Sequence, residues 1–158
     1  MKISIVCIGK IKEKFYKDAI NEYLKRLSAY TKLNIIELND EKVKNENESE
    51  IKLAMDKEGK NILSKIKDGQ FLVTLEILGN NFSSEELASK INFLALQGSS
   101  DIVFVIGGSY GLSDEVKSRS DFALSFSRMT FPHQLMRVVL VEQIYRAFKI
   151  IKKEPYHK

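Results

Sequence analysis

The 158-residue chain holds one cysteine, Cys7, so no disulfide can form within it. Cys7 stands in the apolar run Ile5-Val6-Cys7-Ile8, which predicts a buried structural thiol and not a nucleophile. A chain without disulfides suits a reducing cytoplasm. Only two histidines are present, His133 and His157, and no Cys/His cluster has zinc spacing, so metal-dependent chemistry has little support. A Gly-x-Ser-x-Gly elbow is also missing, which counts against triad hydrolysis. The start, Met1-Lys2-Ile3-Ser4, lacks the apolar core and cleavage site of a signal peptide. No segment has the roughly 18 or more uninterrupted apolar residues of a membrane span. The expectation is a cytoplasmic, non-membrane protein of one domain, residues 1–158, that folds without metal or disulfide.

Net charge is small but unevenly placed. From Pro132 to Lys158 six basic residues stand against two acidic ones, which matches the whole net charge of +4; elsewhere the two signs cancel. A basic end can attract phosphate. A solvated helix end complementing its own dipole explains the same charges, and charge alone favours that plainer reading.

Apolar patterning yields alternating elements. Ile3–Ile8, Leu33–Leu38, Phe71–Leu78 and Asp101–Ile106 read as buried strands, with a short one around Phe122–Phe126. Helical spacing runs through Lys12–Ala29, where Phe15, Ala19, Tyr23 and Leu27 form the apolar stripe, and through Ile51–Ile66, where Gly59 is out of place. Asn39–Ser49 reads as a polar loop. Ser83 and Glu86 form a capping box for a helix ending near Gly98. A short helix follows Ser113. Pro132, at a first-turn position, opens a long helix from His133 to about Lys153, and Pro155 stops it. The alternation predicts an α/β fold, a mostly parallel sheet flanked by helices. Ligands bind such sheets beyond the carboxyl ends of strands, here Leu75–Gly79, Gly107–Gly111 and Ser125–Pro132.

Two of those places carry chemistry-bearing residues. Gly107-Gly108-Ser109-Tyr110-Gly111 allows close backbone approach, although it is neither a dinucleotide fingerprint nor a phosphate loop. The stretch Leu124–His133 alternates hydroxyls with large apolar side chains, which suits an amphipathic ligand with an aromatic ring. His133 falls in a first helical turn, where the dipole disfavours its protonated form, and it reads as structural. In the last helix Glu142, Arg146, Lys149 and Lys153 share one stripe, and nearly every other side is apolar. That helix is either central to the core or covered by a partner. Arg137 sits away from the polar stripe and, if buried, needs an anionic or carbonyl partner. It reads as an interface or ligand residue. The ending Tyr156-His157-Lys158 combines a stacking ring, an imidazole and a cation. A frayed chain end is the plainer reading of that composition.

Together these blocks resemble a known family. Gly-Gly-Ser-Tyr-Gly-Leu after an apolar strand is the first of them. Leu-Ser-Phe-Ser-Arg-Met-Thr-Phe-Pro-His-Gln-Leu-Met-Arg, Glu-Gln-Ile-Tyr-Arg-Ala-Phe and the terminal Pro-Tyr-His-Lys follow. With Val-Thr-Leu-Glu-Ile at 73–77 and Lys-Glu-Gly at 57–59, they resemble the ribosomal RNA large-subunit methyltransferase H family of the SPOUT superfamily. The resemblance runs end to end and is most specific in the C-terminal block. It implies an α/β domain with a C-terminal trefoil knot and a homodimer. It also implies S-adenosylmethionine-dependent methylation of N3 of a pseudouridine in helix 69 of 23S rRNA, in the assembled ribosome and without metal. Carried onto matching positions, the cofactor contacts are Leu75, Gly107, Phe126, Ser127, Arg128, Met129, Thr130 and Phe131. His157 and Tyr156 become the catalytic candidates, and Arg137, Lys149, Lys153 and Lys158 the RNA contacts. A non-catalytic ribosome- or RNA-binding factor and a nucleotide-binding α/β regulator are the rival classes.

Overall fold

The computed structural model describes residues 1–158. In chain order the elements are β1 (Lys2–Ile8), α1 (Lys14–Leu27), β2 (Lys32–Leu38), α2 (Glu48–Leu63) and β3 (Phe71–Asn81). They continue with α3 (Ser84–Leu96), β4 (Asp101–Ile106), α4 (Asp114–Arg119), β5 (Phe122–Ser125) and α5 (His133–Ile151). The five strands make one parallel sheet in the order β2-β1-β4-β3-β5. Every strand therefore ends at the same edge.

Strand alternation divides the core in two. In β1, Ile3, Ile5 and Cys7 point to one layer while Val6 and Ile8 point to the other. In β4, Ile102, Phe104 and Ile106 share the first layer, and Val103 and Val105 the second. Helices α1, α3 and α5 cover the first face; α2 and α4 cover the second. With both faces covered, central strands are apolar throughout, as parallel sheets require. Burial pushes the Cys7 thiol up to about 11, so it stays protonated and inert.

Several boundaries differ from the sequence expectation for local reasons. Helix α2 begins at Glu48 because the Asn47 side chain accepts the Glu50 N–H, ending the expected loop early. Gly59 belongs inside α2: a Cβ there would lie 2.1 Å from Ser113 Oγ, at the start of α4. Pro132 occupies the capping position just before α5, with φ −54° and ψ 131°. Helix α5 stops at Ile151, and Lys153 adopts φ 55° outside it. The Ser83–Glu86 capping box is present as expected. Phe15 departs from its expected burial. It lies in the first turn of α1, beyond the cover of the core, and is 62% exposed.

Candidate functional site

At the carboxyl edge of the sheet, the ends of β3, β4 and β5 and the first turn of α5 enclose a cleft of about 200 Å³. Each wall has a local cause. The β3–β5 register runs Val73↔Phe122 to Leu75↔Leu124, then jumps to Asn80↔Leu124. Glu76–Gly79 are thereby expelled from the ladder, and Glu76 and Ile77 face the cleft. Gly79 permits the re-entry, since a Cβ there would lie 2.9 Å from the Ala123 carbonyl. Ser125 Oγ donates to the Ile77 carbonyl at 2.9 Å, pinning the expelled loop to β5. The β4 wall ends in the glycine turn. A Cβ on Gly107 would come within 2.9 Å of the Gly111 backbone, and one on Gly108 within 3.1 Å of Glu58 Oε2. Bare backbone thus forms that wall.

The lining is mostly apolar, with Leu75, Ile106, Leu124, Phe126, Met129 and Phe131, and it carries one carboxylate, Glu76, and no lysine or arginine. Thr74, fully buried, donates its hydroxyl to Glu76 Oε1 at 2.7 Å and orients it. His133 closes the α5 side. Burial first, then the Arg137 guanidinium, pushes its pKa down, so the imidazole is neutral at pH 7. Behind Gly108, the buried Glu58 accepts the Glu41 N–H at 2.9 Å, and Tyr110 donates to Glu46 at 3.1 Å. The segment before α2 is thereby laid against the glycine turn.

Of the residues expected around a cofactor, Leu75, Gly107, Phe126, Ser127, Met129, Thr130 and Phe131 converge on this cleft. Arg128 is exposed and does not line it. Sequence reasoning placed Glu76 and Glu58 within family-like blocks but assigned neither a role, and it gave His133 only a structural one. Gly79, directly after the expected strand Phe71–Leu78, was the available signal that β3 breaks and re-enters the sheet there. The Lys-Glu-Gly block marks Glu58 only through the resemblance; its contacts, with the Glu41 N–H and behind Gly108, come from elsewhere in the chain.

The expected RNA and catalytic residues lie elsewhere. Arg137 is fully buried and is corrected from RNA contact to internal lock: it donates to Glu37 Oε1 at 2.9 Å and to the carbonyls of Ile8 and Gly9 at 2.6 and 2.7 Å. Lys149 is corrected likewise, since it is mostly buried and its ammonium donates to Glu154 at 2.6 Å. Lys153 and Lys158 are exposed. The chain end is docked and not frayed. Tyr156 donates to Glu142 at 2.9 Å, packs edge-on to Tyr145 and lies under the Arg146 guanidinium. Burial and the bonds to Tyr23 and Glu142 push its phenol pKa up. Arg146 donates to His157 Nδ1 at 3.3 Å, which leaves Nε2 to carry the proton toward Glu85, 2.8 Å away. That contact and the helix-start N–H groups hold Glu85 down at about 2, its own backbone N–H contributing most. The cleft meets α5 at His133 and Met136, whereas the tail meets it at Glu142 and Arg146. At 1.5 Å per residue these lie roughly 9–20 Å apart along the helix. The structure therefore does not bring Tyr156 and His157 to the cleft of their own chain.

The whole chain matches known proteins. A family profile described as "Predicted SPOUT methyltransferase" matches residues 1–157. A Finegoldia magna protein named "Ribosomal RNA large subunit methyltransferase H" is 57% identical over the full length of both chains. A Methanococcus vannielii protein, named "Putative ribosomal RNA large subunit methyltransferase H", is 58% identical, again over all of both chains. A Haemophilus influenzae structure, "a probable methylase family protein", shares the fold at a TM-score of 0.53 and 17% identity, covering 99% of this chain and 70% of its own. The cleft at the knuckle of β3, β4 and β5 is thus carried by a chain that belongs to the SPOUT methyltransferase family, among the ribosomal RNA large subunit methyltransferases H.

Proposed function

We propose that this protein is an S-adenosylmethionine-dependent methyltransferase acting on large-subunit rRNA, and specifically on N3 of a pseudouridine in helix 69 of 23S rRNA in the assembled ribosome. The observation that carries the reading is the cleft: apolar, walled by bare glycine backbone, and holding one carboxylate and no cationic side chain. Such a site suits a ligand with an aromatic ring and positive charge, and it repels polyphosphates. A nucleotide-binding regulator is disfavoured for that reason. The names of full-length relatives supply the RNA substrate class.

S-adenosylmethionine brings a methyl group already activated on a sulfonium, so the transfer needs no metal. The chain's residues hold and orient. Gly107 and the 126–131 segment provide backbone and apolar walls for the adenosine part, and Glu76 complements positive charge. Fixing the methyl beside the target nitrogen supplies much of the rate. The N3 proton must leave; His157 accepts it at Nδ1 once Arg146 gives up that lone pair, with Nε2–H still facing Glu85, while Tyr156 stacks on or hydrogen-bonds the base. Because the tail lies away from its own cleft, the reading includes a homodimer in which each tail serves the partner's cleft. Exposed Ile77, Leu78, Phe93 and Leu96 offer apolar surface for that contact. A C-terminal trefoil knot and a cytoplasmic location belong to the same reading.

Deleting Tyr156–Lys158 tests the division of labour. Calorimetry is expected to show S-adenosylmethionine binding retained, while labelled-methyl transfer to ribosomes is lost. Full activity of the truncated protein would overturn it, and no transfer by the intact protein would favour a non-catalytic ribosome-binding factor.

A further inference from the structure

The charges of this molecule are distributed differently in three dimensions than along the chain. Of the six cations after Pro132, Arg137, Arg146 and Lys149 are taken by Glu37, Glu142 and Glu154. The β1–α1 connection with the first turn of α1 is the opposite case. Lys10, Lys12, Lys14 and Lys17 are all exposed there, and only Lys14 is paired, with Asp18. Exposed Glu13 also lies on this surface, and Glu37, which borders it beside Lys17, is held by Arg137. Among these lysines stands Phe15, 62% exposed, its ring 4.4 Å from that of Tyr16. Phe15 thus presents an aromatic face to solvent in the midst of exposed ammonium groups.

The patch sits beside the cleft and is held rigidly. Gly9 packs on His133, where a Cβ would lie 3.4 Å from Nε2, and the Lys12 N–H donates to Gln134 Oε1 at 3.0 Å. Ile11 N–H donates to Glu37, and Arg137 grips the Ile8 and Gly9 carbonyls. The connection is therefore fixed to the first turn of α5, whose His133 and Met136 line the cleft.

The geometry points to a second RNA contact at this connection: Phe15 stacks on an unpaired base next to the target, and Lys10, Lys12 and Lys17 bind the flanking phosphates. Exposed aromatics interleaved with cations match single-stranded nucleic acid, which offers a π-face and a phosphate at each step. A protein partner would find the lysines costly to desolvate. The inference rests on the rRNA methyl-transfer reading and names the surface that delivers the substrate to that cleft.

The test uses the full-length protein and ribosomes purified from cells lacking it. Three variants are compared with the parent: Phe15→Ala, Phe15→Trp, and the triple change Lys10→Gln, Lys12→Gln, Lys17→Gln. Phe15→Ala is expected to weaken ribosome binding by at least about fivefold, with Phe15→Trp restoring it. The triple variant is expected to lower the slope of log affinity against log salt by about 2 to 3, near 0.7–0.9 per phosphate contact. S-adenosylmethionine affinity and thermal midpoint stay unchanged in all three. Unchanged ribosome affinity and salt slope would overturn the proposal. So would unchanged affinity with an altered sedimentation coefficient, which assigns the patch to a protein contact. If the parent protein transfers no methyl yet the variants still bind ribosomes more weakly, the reaction reading fails and the RNA contact stands.

Discussion

Arg137 carries its charge where no water reaches it. Its fork ties α5 to the end of β1 and to Glu37 of β2, a hundred residues away in sequence. Arg137→Ala leaves a carboxylate and two carbonyls without their donor, and is expected to cost roughly 3–5 kcal/mol in denaturant unfolding. Arg137→Lys keeps the charge but loses the fork, and recovers only part of that. Glu58 gives a pH signature. Burial foremost, with Asp40 and Glu41 nearby, raises its pKa in the folded state. The folded protein then holds this proton more tightly than the unfolded chain. The favourable contribution is full below the ordinary value of 4.5 and is lost as pH rises through the raised one. Glu58→Gln removes that loss, so its melting temperature relative to the parent is expected to be higher at pH 7 than at pH 4. No pH dependence of that difference would refute the assignment. Neither residue announces these roles locally: Arg137 showed only that it would need a partner, and Glu58 lies in an ordinary helical pattern.

At the scale of elements, the site is made by interruptions. Strand β3 breaks register to expel Glu76–Gly79, and β4 ends in glycines that admit no side chain. Gly107→Ala places a Cβ 2.9 Å from the Gly111 backbone, which must move. S-adenosylmethionine affinity is expected to fall at least tenfold by calorimetry, about 1.4 kcal/mol or more. Gly98→Ala is the control: strained by φ +81°, with open space around it and remote from the cleft, it leaves affinity intact. The glycine turn and the 126–131 segment were legible because both follow apolar strands at one sheet edge. Phe15 was misjudged because helical periodicity identifies an apolar stripe but not where the covering layer ends.

For the whole molecule, the separation of tail and cleft has a consequence that mixing can expose. A protein lacking Tyr156–Lys158 is expected to be inactive alone, and a Gly107→Ala variant nearly so at S-adenosylmethionine concentrations that suffice for the parent but lie well below the variant's weakened affinity. If tails serve the partner's cleft, exchanging subunits between them restores methyl transfer, because the mixed dimer has one intact cleft facing one intact tail. No restoration after exchange, verified by sedimentation and tagging, would place tail and cleft in the same subunit.

Alternating apolar segments by themselves determined a parallel α/β sheet flanked by helices, and the edge that carries the cleft, because burial on two faces leaves a direct trace in composition and period. The C-terminal blocks determined the family. Tertiary structure alone decided that Arg137 is taken up by the distant Glu37, whereas the i,i+4 pair of Glu142 with Arg146 was legible within the helix itself. It also decided that the chain end docks and that Phe15 faces solvent. These outcomes depend on which distant groups meet across the fold, and no local period encodes that.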